Sequence, residues 1–287
     1  MDFLQPTSWP DALAAKAEHP DAVPIAGGTD IMVELNFDKR RPPALLDLTA
    51  VPELATWGRD DGHIRLGAGV SYSRIIDELA AALPGLAMAS RTVGSPQIRN
   101  RGTVGGNLGS ASPAGDAHPP LLTADATVEV ESARAGVRRI PIGEFFTGVK
   151  RNALAPDELI SAVRIPVARG PEQFAKVGTR NAMVIAVCSF AIALDAERKT
   201  VGTGIGSAAP TPVRAEAAQE LAAAELRWDD PGGPLDPELA IRFGDLVAAA
   251  ADPIDDVRGT AAYRRRALSV LARRTLSWAW ADYVRRS

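Results

Sequence analysis

From Gly94 to Asp116 the chain reads Gly-Ser-Pro-Gln-Ile-Arg-Asn-Arg-Gly-Thr-Val-Gly-Gly-Asn-Leu-Gly-Ser-Ala-Ser-Pro-Ala-Gly-Asp. So few large apolar side chains exclude a core strand, and the glycines and prolines exclude a long helix. Glycine frees the backbone for positive φ and lets another group come close. Gly102, Gly105, Gly106 and Gly109, edged by Thr103, Asn107, Ser110 and Ser112, offer many main-chain N–H groups, several hydroxyls and one amide. That inventory suits a cradle for a phosphorylated ligand. On composition alone, a long surface loop explains the stretch equally well.

A second glycine cluster shifts the balance. Ala22-Val23-Pro24-Ile25 ends abruptly at Ala26-Gly27-Gly28-Thr29-Asp30, and Ile31-Met32-Val33-Glu34-Leu35 follows as a helical turn. A strand, a glycine turn and a helix start aim N–H groups and a positive dipole end at an anion. A plain strand-to-helix turn is the competing reading. Two such loops in one half of the chain can hold the two oxygen sets of a pyrophosphate from both sides. Asp116, just past the second loop, can accept a hydrogen bond from a ribose or ribityl hydroxyl.

The rest of the chain sets the frame. Its 287 residues allow one large domain or two moderate ones, and 46% hydrophobic with 23% charged residues is ordinary for a globular protein. A net charge of −3 gives no electrostatic case for nucleic acid. No apolar run approaches a membrane span. Met1 to Pro6 lacks the basic start of a signal peptide, so the expected location is cytoplasmic. Cys188 is the single cysteine, which excludes an internal disulfide or a cysteine-held cluster. His19, His63 and His118 have no ligand spacing and read as surface or loop residues. Redox chemistry here needs an organic cofactor.

Local signals give the order of elements. Ser8 and Pro10 start a helix over Ala12 to Glu18. Ala44 to Leu48 is a short buried strand, and Asp60-Asp61-Gly62 turns into the alternating strand His63 to Val70. Ser71 to Leu83 is a helix stopped by Pro84-Gly85. Thr127 to Val130 and Glu158 to Pro166 are strands, and Arg169-Gly170-Pro171 marks a domain boundary. Beyond it Phe174 to Val177, Ile185 to Leu194 and Thr200 to Ala209 read as strands, and Asp229 to Pro237 as a loop. Arg214 to Leu226 and Tyr263 to Val284 read as helices, the last with Leu268, Leu271, Thr275, Trp278 and Ala279 on one face. Arg258 to Arg286 holds eight arginines and reads as a solvated face or a protein contact.

Familiar motifs fail. Gly202-Thr203-Gly204-Ile205-Gly206 lacks the dinucleotide spacing, and Pro210 and Pro212 prevent a following helix. There is no Walker A sequence and no Gly-x-Ser-x-Gly elbow. With five lysines against twenty-seven arginines, Lys176 stands out as a compact point charge. Beside a flavin it would favour the anionic reduced ring. A solvent-exposed lysine on a strand edge is the other reading.

Several segments together carry a resemblance. Ile25 to Asp30, Val93 to Asn107, Ala111 to Asp116, Phe145-Phe146-Thr147-Gly148, Leu154 to Ile160, Phe174-Ala175-Lys176, Ala209 to Ala215 and Tyr263-Arg264-Arg265 occur in the order found in the FAD-binding subunit of molybdenum hydroxylases. This is the family of the carbon monoxide dehydrogenase medium subunit and the xanthine dehydrogenase flavin domain, and the resemblance spans nearly the whole chain. It implies an α+β fold: a PCMH-type FAD-binding domain of two lobes over residues 1–170, then a smaller C-terminal domain of antiparallel strands and helices over 171–287. It also implies non-covalent FAD. The pyrophosphate would lie between Ala26–Ile31 and Thr103–Asn107, so the implied cofactor residues are Ile25, Ala26, Gly27, Gly28, Thr29, Asp30, Ile31, Gly102, Thr103, Val104, Gly105, Gly106 and Asn107. Asp116 would contact a flavin-chain hydroxyl, Val93 and Ile160 would pack near the ring system, and Lys176 would lie near the isoalloxazine.

The resemblance assigns molybdopterin to a large partner subunit and [2Fe–2S] clusters to a small one, in a dimer of heterotrimers. This chain would pass electrons through FAD to an acceptor and contribute no catalytic acid or base. Val177 to Met183 replaces the acidic stretch of the NAD-reducing relatives, which argues against NAD as that acceptor. The competing expectations are a self-sufficient FAD oxidase of the same fold and a flavin-free assembly subunit.

Overall fold

The computed structural model describes residues 1–286, which contain two large hydrophobic cores and a small third cluster of Ala89, Phe174 and Ala191. The chain opens with β1 (Asp2–Leu4), α1 (Trp9–Glu18), β2 (Val23–Ile25), α2 (Ile31–Asn36) and β3 (Ala44–Asp47). These strands form a parallel sheet in the order β1-β3-β2. Helix α1 starts where its cap signal stands, with Ser8 accepting the Asp11 N–H.

Next come β4 (Trp57–Asp60), β5 (His63–Gly67), α3 (Tyr72–Glu78), α4 (Pro84–Arg91), α5 (Pro96–Arg101), α6 (Val104–Ser110) and α7 (His118–Thr123). They lead to β6 (Thr127–Ser132), β7 (Gly136–Pro141), α8 (Ile142–Phe145), β8 (Phe146–Gly148), β9 (Arg151–Asn152) and β10 (Leu159–Pro166). An antiparallel sheet runs β4-β5-β10-β6-β7. Asp61 and Gly62 close its first hairpin with φ of 44° and 72°, the left-handed pair that a two-residue hairpin turn requires. The apolar residues of this sheet, including Ile64, Leu66, Val128, Val130, Leu159 and Val163, form the first core with α3, α6 and α7.

The remaining elements are β11 (Glu172–Val177), β12 (Cys188–Asp195), β13 (Thr200–Gly206), α9 (Glu216–Glu225), α10 (Pro237–Ala249) and α11 (Ala261–Arg286). The three strands form an antiparallel sheet, with Phe190 packed edge-on against Phe243 and a second core along α10 and α11.

Several sequence expectations need correction. Pro84 does not end a helix that runs to Leu83. Helix α3 ends at Glu78, and Pro84 stands in the first turn of α4, where its missing N–H costs nothing. Helix α10 was not expected. Asp236-Pro237 is its start signal, with Asp236 accepting the Glu238 N–H at 3.0 Å, rather than the end of a loop. Ile185 is 61% exposed and lies before β12, which begins at Cys188. Trp278 is 47% exposed while Trp280 fills the core. Arg264 is not a solvated arginine either. It is 1% exposed, donates to the carbonyls of Val187 and Ser207, and pairs with Asp256 at 2.6 Å.

The run Gly202, Gly204, Gly206 has a packing explanation. Alternate residues of β13 share one face, and on that face α7 lies against the strand. A Cβ at Gly202 would sit 2.6 Å from the Thr123 carbonyl oxygen, and one at Gly204 would sit 2.4 Å from that of Pro119. The glycines therefore allow the second sheet to dock on α7 at backbone distance.

Candidate cofactor site

The two glycine loops touch. A Cβ built on Gly27 would lie 1.9 Å from the Arg101 carbonyl oxygen and 2.9 Å from the Gly102 nitrogen, so only glycine permits this approach. A Cβ on Gly102 would lie 3.5 Å from Thr29 Oγ1. Gly28 has φ of 73°, the left-handed conformation needed to turn from β2 into α2. Asp30 occupies the N-cap of α2 without a side-chain capping bond, and Ile31 opens the helix.

The second loop is held from below. Tyr72 N–H donates to the Gly102 carbonyl at 3.0 Å, and Ser71 bridges to Thr103. Thr103 caps α6 by accepting the Gly106 N–H at 2.9 Å, so this donor is already engaged. Val104 and Gly105 are buried. A Cβ on Gly105 would meet Ala68 O at 2.5 Å, so this glycine serves packing against the end of β5. Gly106 is more open, with only Thr103 Oγ1 at 3.2 Å.

Asp116 and Lys176 come together from opposite halves of the chain. Lys176 Nζ donates to Asp116 Oδ2 at 2.5 Å, to the Thr92 carbonyl at 2.8 Å and to the Val184 carbonyl at 3.3 Å. Their side chains are 8% and 9% exposed, so Lys176 is no solvent-facing edge residue. Burial pushes the Asp116 carboxyl up, while the Lys176 charge and hydrogen bonds from Lys176 and Thr92 oppose the shift. Asp116 Oδ1 is buried without a partner, as are Asn107 Oδ1 and Tyr72 Oη. Val93 is half-buried against the first core, and Ile160 is 8% exposed with its Cδ1 4.0 Å from where a Gly109 Cβ would stand.

His118 corrects the expectation of a surface residue. It is fully buried, its ring centroid is 4.4 Å from that of Phe146, and Nε2 lies 3.2 Å from the Asn107 carbonyl. A carbonyl only accepts, so Nε2 carries the proton in this contact. Burial pushes its pKa down to about 4 despite that bond, so the ring is neutral near pH 7 and tethers α6 to α7 without adding charge. Sequence reading missed it because no local pattern distinguishes a buried histidine from an exposed one.

Glu172, on β11, accepts the Gly85 N–H at 2.8 Å, and burial pushes its carboxyl up to about 7 against that bond. A carboxyl with a raised folded-state pKa binds more protons folded than unfolded. Stability is therefore fullest below the ordinary value of 4.5 and is lost as pH rises toward about 7. Across that window, the melting temperature of wild type should fall relative to that of Glu172→Gln. Parallel curves would contradict the shift.

The arrangement suits a ligand with both phosphates and hydroxyls. Backbone glycines approach one another in the loops, and unpartnered buried acceptors stand at Asn107 and Asp116. FAD carries both kinds of group, and the residues present fit it.

Comparisons with known proteins agree. Residues 1–168 match the model of the FAD binding domain in molybdopterin dehydrogenase, and residues 173–279 that of the CO dehydrogenase flavoprotein C-terminal domain. The chain belongs to the family of FAD-binding subunits of molybdopterin dehydrogenases and is an oxidoreductase subunit. It is 34% identical over 231 residues to caffeine dehydrogenase subunit beta of Pseudomonas sp. (strain CBB1), covering 77% of each. It is 31% identical over 281 residues to the nicotine 6-hydroxylase medium subunit of Paenarthrobacter nicotinovorans, covering 96% of this chain and 95% of that one. Carbon monoxide dehydrogenase from Hydrogenophaga pseudoflava, solved without the Mo-pyranopterin moiety of its cofactor, superposes with a TM-score of 0.89 at 26% identity, covering 99% of this chain and 98% of its own. The two-part α+β architecture is shared with that structure. Among the described residues no helix is long and apolar enough to cross a membrane.

Proposed function

We propose that this chain is the electron-transfer flavoprotein of a heteromeric molybdenum hydroxylase, with substrate oxidation on a separate molybdopterin subunit. When bound, FAD would supply the redox chemistry, electron carriage between [2Fe–2S] clusters of a small partner subunit and an external acceptor. The chain's residues bind and orient. Ala26–Ile31 and Thr103–Asn107 would hold the pyrophosphate, and Asp116 Oδ1 would accept a hydrogen bond from a hydroxyl of the flavin chain. Val93 and Ile160 supply apolar contact for the ring. Residues 1–170 serve as the binding domain, and residues 171–287 deliver Lys176 to it.

The observation that carries this reading is the buried Asp116–Lys176 pair, with Oδ1 left unpartnered beside glycine loops in backbone contact. Its test is the visible spectrum of the purified full chain. Flavin absorbance, present at once or gained on adding FAD, is the expected result. A protein that stays colourless with excess FAD refutes it. Isolation of the native complex tests the partners: molybdenum and iron–sulfur subunits should co-purify as a dimer of heterotrimers, whereas a lone chain that oxidises substrate would favour an oxidase.

A further inference from the structure

Helix α4 starts without a cap of its own. Leu83 occupies the N-cap position and makes no side-chain capping bond. The missing acceptor comes from beyond the domain boundary, because the Gly85 N–H donates to Glu172 Oε2 at 2.8 Å. Gly85 is the second helical residue, one of those a capping side chain ordinarily serves. At the other end, Lys176 Nζ donates to the carbonyl of Thr92, the C-cap residue, at 2.8 Å. Between them Phe174 packs with Ala89 and Met88.

Glu172, Phe174 and Lys176 are alternate residues of β11 and share one face. Their span of four strand steps is about 13 Å, and the seven helical steps from Gly85 to Thr92 cover about 11 Å. One strand face thus matches the length of one helix. The hydrogen-bonding roles match as well: Glu172 Oε2 accepts at the N–H end of the helix, and the Lys176 ammonium donates at its carbonyl end.

We propose that Glu172 is a positioning residue: by capping α4 from the second domain it fixes where β11 lies along that helix, and so brings Lys176 to Asp116. The contact of α7 with the glycine face of β13 does not involve Glu172, so losing the cap shifts β11 without separating the domains. The proposal rests on the FAD reading only for its consequence, that docking of the second domain completes the cofactor site.

The chain's five lysines provide the test. Lys39, Lys150 and Lys199 are exposed, whereas Lys16 is 6% exposed and donates to the carbonyls of Pro20 and Ala22 within the first domain. Acylation of the full chain with an amine-reactive reagent, read by mass spectrometry, should label Lys16 and Lys176 at least about tenfold more slowly than Lys39. In Glu172→Ala, Lys176 should become about fivefold or more faster while Lys16 is unchanged, and Glu172→Gln, which keeps the acceptor, should restore protection. Glu172→Asp, too short to reach Gly85, should behave like the alanine variant. Continued protection of Lys176 in the alanine variant overturns the proposal, as does exposure in the glutamine variant. A parallel rise at Lys16 in both the alanine and aspartate variants also overturns it, because Glu172 would then support the fold at large. Labelling is run before and after flavin removal. Protection that disappears with the flavin defeats the positioning role and leaves the FAD reading intact, whereas a chain that never binds flavin refutes that reading and leaves the labelling result standing.

Discussion

Gly27→Val loses FAD at concentrations that saturate wild type; this is the expected result of placing a side chain where the two loops meet. Its Cβ would lie 1.9 Å from the Arg101 carbonyl oxygen and 2.4 Å from the carbonyl carbon, and both are backbone atoms that no rotamer change can move. The loops must separate. Overpacking of this kind costs about 3 kcal/mol at its upper range. If the cost falls on the bound geometry, affinity drops about 100-fold. Flavin content by absorbance, titrated with FAD, reads the effect, and Gly58→Val is the matched control because Gly58 stands on β4, outside both loops, with nothing within 4 Å of its Cβ. Normal affinity in Gly27→Val would contradict the assignment of this contact to the cofactor site. Gly105→Val is a poorer probe, since its side chain enters the packing against Ala68 and weakens the fold itself.

Lys176→Met has the second large expected effect. The variant leaves Asp116 buried with no cation beside it, and removing one partner of a buried pair typically costs about 3–5 kcal/mol. Only the Thr92 hydrogen bond would then oppose burial, so the Asp116 carboxyl moves further toward the protonated form. Adding Asp116→Asn removes the stranded charge, so the double variant should regain most of the lost stability. Denaturant melts of wild type, both single variants and the double variant give the coupling directly. Additive effects would mean that the pair contributes nothing as a pair. On the proposed function Lys176 would also bear on the reduction potential of the flavin, and its hydrogen bonds add a positional duty that sequence reading did not contain. The ammonium holds Asp116, the end of α4 and the Val184 carbonyl at once.

The sequence by itself determined many of the local elements and the kind of ligand. Ser8 caps α1, Asp61-Gly62 forces the hairpin turn, and alternation marks β5 and β10, because each signal acts within a few residues of itself. Gly27-Gly28 and Gly102-Thr103 announced close backbone approach by their composition, and their common order with known flavoproteins implied FAD. Signals that depend on a partner far along the chain were not legible. Gly202 and Gly204 looked like part of a failed dinucleotide motif until α7 supplied the backbone they accommodate. His118 and Arg264 carry polar groups that favour the surface, and only tertiary hydrogen bonds let them be buried. Trp278 and Trp280 lie two residues apart on α11, and packing decided which one fills the core. Tertiary structure alone also brought Asp116 to Lys176, sixty residues apart, because a buried ion pair requires two surfaces to close over both charges. The glycine loops were readable because their constraint is on the backbone at their own positions. The contact of Lys176 with Asp116 was not readable, because it exists only with β11 packed against the first half of the chain.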